Sequence, residues 1–134
     1  MSHNKTSNNI RPPAIAGTFY PSDPEELSAT VEYFLDKADK IFGSAINVPK
    51  AIIVPHAGYI YSGLTAAAAY NRLHLGREVI KRVIILGPCH RIGIDGLALP
   101  STEMFQTPLG NIHLDKAGMT SITDLEYVKI FNET

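Results

Sequence analysis

Two apolar runs organise the hydrophobic pattern of this chain: Ala51-Ile52-Ile53-Val54-Pro55, and Arg82 to Leu86 with the core Val83-Ile84-Ile85-Leu86. Short runs rich in β-branched residues and closed by proline, or by Gly87-Pro88, predict strands buried on both faces. Between them Leu64 to Leu73 carries an alanine run, which favours helix because alanine loses no side-chain entropy. The predicted unit is β-α-β, a parallel core with flanking helices and thus an α/β fold. A right-handed crossover would put the carboxyl ends of both strands on one sheet edge.

Upstream, Asp23-Pro24-Glu25-Glu26 predicts a helix start, with Asp23 as cap, Pro24 at the first helical position and Glu26 closing a capping box. Leu27, Val31, Phe34, Leu35, Ala38, Ile41 and Phe42 then recur at helical spacing, and Gly43 supplies the stop. Before it, residues 11–21 hold too many prolines and glycines for helix and predict an extended segment with turns. Downstream, residues 96–100 predict a third strand. Pro108-Leu109-Gly110 predicts a turn, and Asn111, His113 and Asp115 alternate with Ile112 and Leu114 as in a half-exposed strand. Asp115 is then placed to cap a last helix from about Lys116. Residues 1–10 are polar and aperiodic and predict a disordered arm, leaving residues 11–134 as a single α/β domain.

Composition narrows the partners. Twelve basic and thirteen acidic residues leave a net charge of −1, interspersed without a basic stripe, which disfavours nucleic acid and anionic membrane surfaces. No apolar stretch approaches the roughly 20 residues of a bilayer span. The single cysteine, Cys89, excludes an intramolecular disulfide framework, and no signal-peptide h-region opens the chain. A soluble cytoplasmic protein is the expectation.

Both buried-strand candidates lead into a histidine, His56 after Pro55 and His90 after Cys89. Adjacent parallel strands lie about 4.8 Å apart, so two imidazoles on one rim can converge on a metal ion or a substrate oxygen. The residues alone equally allow a histidine that bonds backbone at a tight turn. Cys89 reads either as a small buried hydrophobe or as a thiol tuned by a neighbouring metal or Arg91. Tyr59 and Tyr61 could line a pocket or serve packing, and His74 and His113 read as surface residues. Gly58, Gly63 and Gly87 suit unusual backbone or close approach. The stretch Gly58 to Gly63 lacks the Gly-Lys-Ser/Thr ending of a nucleotide-binding P-loop.

Four motifs in order resemble the Memo family, whose bacterial and archaeal members are called the AmmeMemoRadiSam system protein B group. They are Arg11 with Pro13-Ala14-Ile15-Ala16-Gly17-Thr18-Phe19-Tyr20-Pro21; Ile53-Val54-Pro55-His56-Ala57-Gly58-Tyr59 with Tyr61-Ser62-Gly63; Ile85-Leu86-Gly87-Pro88-Cys89-His90; and Thr107-Pro108-Leu109-Gly110 with Asp115. The resemblance implies a fold related to class III extradiol ring-cleaving dioxygenases, which use non-haem iron. It implies that His56 and His90 are metal ligands, for iron or alternatively copper or zinc, with Phe19, Tyr59 and Cys89 lining the pocket. Family members are about twice this length and carry the third ligand in a C-terminal half, so an incomplete Memo-like domain is expected. Cys89 stands where relatives usually carry serine. Two functions follow as expectations: a metal-binding protein, redox or dioxygenase-like when complete, or a non-enzymatic module for a small-molecule or phosphopeptide ligand of anionic or aromatic character. An unpaired sheet edge in an incomplete fold predicts self-association.

Overall fold

The structure is a computed structural model that describes residues 9–131. The polar arm expected over residues 1–10 lies outside the described residues as far as residue 8, and so does His3. The chain divides into two compact units, one of residues 13–81 and one that joins the N-terminal stretch to residues 82–134.

The unit of residues 13–81 is helical. Helix α1 spans Pro24–Phe42, and the Glu26 N–H donates to the Asp23 carboxylate at 2.9 Å, as the sequence predicts. Gly43 closes it at φ 72°, a backbone conformation that costs glycine little, and its N–H bonds the Asp39 carbonyl. The predicted apolar face is only partly used. Leu27 and Ala38 are buried, whereas Ile41 and Phe42 at the last turn are exposed.

Helix α2 spans Tyr59–Tyr70 and continues as a 3₁₀ turn over Asn71–Gly76. It therefore starts five residues before the predicted Leu64, and takes in Tyr59 to Gly63. The reason lies in packing against α1: a Cβ at Gly63 would come within 2.5 to 2.8 Å of the Phe34 ring, so glycine here makes room for an aromatic side chain. The buried Ser62 hydroxyl donates to the Ala57 carbonyl at 3.0 Å and fastens the first turn. The far ends of the helices are joined by Asn71, whose amide donates to the Leu35 carbonyl at 2.7 Å, and by Arg72, which donates to the Phe42 carbonyl at 3.1 Å.

The other unit holds the sheets. Strand β1 is Ile10–Arg11, β2 Leu97–Pro100, β3 Met104–Thr107, β4 Gly110–His113 and β5 Val128–Phe131, with the short helix α3 at Lys116–Thr120. β3 and β4 form an antiparallel hairpin across Pro108-Leu109, the predicted turn, and β1 adds to β3 in parallel. Arg11 lies over the Phe105 ring at 5.2 Å, a cation–π contact that secures the short strand. β2 pairs in parallel with β5, Leu97 opposite Val128. Gly96 enters β2 at φ 102°, and a Cβ there would collide with the Tyr127 carbonyl. Asp115 caps α3 as predicted, accepting from the Gly118 N–H at 2.9 Å, and also pairs with Arg82. The alternation read over residues 111–115 does not divide β4 into two faces, since all four of its residues are exposed.

Helices with parallel strand pairs place the chain in the α/β class, as expected from the sequence. The two apolar runs behave otherwise. Neither residues 51–54 nor residues 82–86 pair as strands among the described residues, and Ile53, Ile84 and Ile85 are 98%, 82% and 86% exposed. A central parallel strand needs a ladder partner at its edges and an apolar layer on its faces. In the helical unit α1 and α2 pack on each other, and neither run supplies a strand for them to cover. No helix among the described residues is long and apolar enough to cross a membrane.

Candidate functional site

The motif of residues 14–21 folds back on itself. The Gly17 N–H donates to the Tyr20 carbonyl at 2.8 Å, and the Phe19 N–H to the Ile15 carbonyl at 3.0 Å. This compact loop is then tied to the start of α2, because the Tyr59 N–H donates to the Phe19 carbonyl at 2.8 Å. Two motifs some forty positions apart are thus joined through backbone alone. The rings of Tyr20 and Tyr59 meet at 5.7 Å between centroids, tilted by 41°, within the range favoured by aromatic pairs.

A cavity of about 430 Å³ opens between this loop, the first turns of α1 and the start of α2. Phe19 and Tyr59, expected from the resemblance beside a metal site, are among its lining residues, whereas the expected ligands His56 and His90 are not. Tyr20, Phe34, Thr30 and Glu26 complete the part of the lining that matters chemically. Burial raises the Tyr59 phenol above its ordinary pKa, with smaller contributions from Tyr20 and Tyr70, so it stays protonated and neutral at physiological pH.

The remaining site candidates are not among the residues that line that cavity. His56 lies two residues before Gly58, the N-terminal cap of α2, in a stretch without helix or strand pairing. It is absent from the described lining of the cavity. His90 opens a bend in the sheet-bearing unit, and the neighbouring Cys89 is an exposed free thiol. Among the described residues no three of His, Cys, Asp and Glu gather in an arrangement that could hold a metal ion. His74 and His113 are exposed, as expected for surface histidines. Tyr61 is exposed as well. Gly63 has the close approach expected of it; Gly87 has neither positive φ nor a neighbour that a Cβ would meet, and nothing in the structure explains it.

Sequence reasoning missed Glu26, Tyr20, Phe34 and Thr30 as wall residues. Glu26 was legible only as a cap partner and Phe34 only as part of an apolar stripe. Tyr20, next to Phe19 in the same turn-rich motif, carried the one available signal.

The fold and cavity define an α/β protein with an aromatic-walled recess at the start of a helix. The sequence profile described as "Memo-like protein" matches residues 11–134, and the chain belongs to the Memo family. It is 41% identical over 108 residues to the "MEMO1 family protein" of Aquifex aeolicus, covering 79% of this chain and 37% of that relative. It is 39% identical over 101 residues to "Protein MEMO1" of Danio rerio, covering 75% and 32%. To "MEMO1 family protein MHO1" of Saccharomyces cerevisiae it is 38% identical over 120 residues, covering 89% and 35%. The chain thus spans about a third of the length of these curated relatives.

Proposed function

We propose that this chain contributes the two-histidine part of a Memo-type metal site, with His56 and His90 as nitrogen donors to a divalent ion, iron in the first place and copper or zinc as alternatives. The reading is carried by one observation: in a chain of this family, both histidines stand at the ends of the two apolar runs that carry its second and third motifs. Neutral imidazole is a suitable donor for all three metals.

The donor set fits in kind and falls short in number. A catalytic mononuclear site usually takes three protein ligands and leaves positions open, and the described residues offer no such group. Completion of the site therefore calls for a donor from beyond them. A bound redox metal would supply oxygen-activating chemistry there, and the part of His56 and His90 would be to furnish two imidazole donors.

Anaerobic loading with ferrous iron, copper(II) or zinc, followed by desalting and elemental analysis, tests the reading. Retained metal that is lost in His56→Ala and in His90→Ala supports it. Metal content unaffected by either change, or no retained metal at all, refutes it.

A second reading, a non-enzymatic binding module for a phosphopeptide or other anionic or aromatic ligand, draws support for its aromatic part from Phe19 and Tyr59 lining the same cavity.

A further inference from the structure

The cavity between the residue 14–21 loop, α1 and α2 is walled by four aromatic rings, those of Phe19, Tyr20, Phe34 and Tyr59, and by one carboxylate, Glu26. No lysine, arginine or histidine lines it among the described residues. Its volume, about 430 Å³, lies within the roughly 300–1,000 Å³ usual for small-molecule sites.

The charge arrangement discriminates between guests. A phosphate or carboxylate is held best by cationic side chains or unused N–H donors. Here five N–H groups at the helix starts that border the cavity are already committed: that of Glu26 to the Asp23 carboxylate, that of Leu27 to the Asp23 carbonyl, that of Tyr59 to the Phe19 carbonyl, and those of Tyr61 and Ser62 to the Gly58 carbonyl. An anion entering the recess would also meet the Glu26 carboxylate, which has no ion-pair partner among the described residues. A cation meets the opposite situation. Aromatic rings attract positive charge through their quadrupole, and a single carboxylate supplies the counter-charge. A primary ammonium brings three N–H groups that each want an acceptor, whereas a quaternary ammonium brings none and presents methyl groups to the rings.

We propose that this recess binds a small quaternary ammonium compound, held by the four rings with Glu26 as its counter-ion. Neither His56 nor His90 is among the residues that line it.

The experiment is a titration of the full chain, stripped of metal by chelator, with choline chloride at constant ionic strength. The protein has no tryptophan and two of its six tyrosines, Tyr20 and Tyr59, line the cavity, so binding is read as a saturable change in total tyrosine fluorescence. Two further probes run alongside: the neutral isostere of choline in which a tert-butyl group replaces the trimethylammonium, and phenyl phosphate. Choline should bind saturably and at least about fivefold tighter than the isostere, the ratio expected for a partly exposed cation–π site. Glu26→Gln should weaken choline several-fold and leave the isostere unchanged, and Phe19→Leu should weaken choline. Both substituted side chains are exposed, and circular dichroism checks that the helices persist. Equal binding of choline and isostere, tighter binding of phenyl phosphate, or no saturable choline binding would each overturn the proposal. Because the protein is metal-free throughout, this outcome is independent of the metal-loading result.

Discussion

The ring of Phe34 fills the space in which Gly63 would carry a Cβ, with Cε2 only 2.5 Å from the position that atom would take. One helix thus packs through a notch in the other. Glycine inside a helix costs about 1 kcal/mol relative to alanine, so this one is kept against propensity.

Gly63→Val is expected to destabilise the helical unit by about 1–3 kcal/mol through overpacking. In a double-mutant cycle with Phe34→Leu the effects should be strongly non-additive, since the smaller side chain vacates the clash. Urea unfolding measures both. An additive cycle would show that the two side chains do not meet.

The Asp115 carboxyl is held below its ordinary pKa, first by the Gly118 N–H and then by Arg82. A depressed folded-state pKa means that the unfolded chain binds the proton more readily, so stability rises with pH through this interval. The contribution to the sheet-bearing unit is complete above the ordinary aspartate value of about 4 and is lost as pH falls below it. Asp115→Ala should lower stability at neutral pH and flatten this acid dependence. Hydrogen exchange at Gly118 and acid titration by circular dichroism provide the readouts, and an unchanged acid limb in the variant would remove the group from the account.

Much of the architecture was legible because local physics decided it. The Asp23 cap, the Gly43 stop, the Pro108-Leu109 turn and the Asp115 cap each depend on a few neighbouring residues, and each stands as the sequence reads. What was not legible depends on distant partners. The early start of α2 takes in Gly63, a residue of poor helix propensity that is explained only by the ring it receives. β5 spans four residues, too short for a period to show, and exists through its pairing with β2 some thirty positions earlier. The two apolar runs failed as strands for the converse reason: their local pattern is strong, and the partners that a buried strand requires are not supplied. At the cavity, the motifs drew notice to Phe19 and Tyr59, whereas Glu26 was read only as a capping-box partner, and its place in the lining depends on a loop that folds back from outside its helix.

His56→Ala and His90→Ala should each reduce retained ferrous iron, copper or zinc to background while leaving the secondary structure in place, because both residues lie outside the helices and paired strands. If one variant loses metal and the other does not, the sites are separate and the paired-ligand proposal is wrong.

The run Val83 to Leu86 offers exposed apolar surface and unpaired backbone, conditions that favour strand addition between copies. Sedimentation velocity over a range of concentrations should show association that Ile85→Lys suppresses. A monomer at every concentration would contradict this.

The hydrogen bond from the Tyr59 N–H to the Phe19 carbonyl involves no side chain, so ordinary substitution at either position leaves it intact; only proline at position 59 would delete the donor. The frame of the recess is therefore decoupled from its lining: ring identity at position 19 and charge at position 26 can be changed by design while this tie between loop and helix is kept.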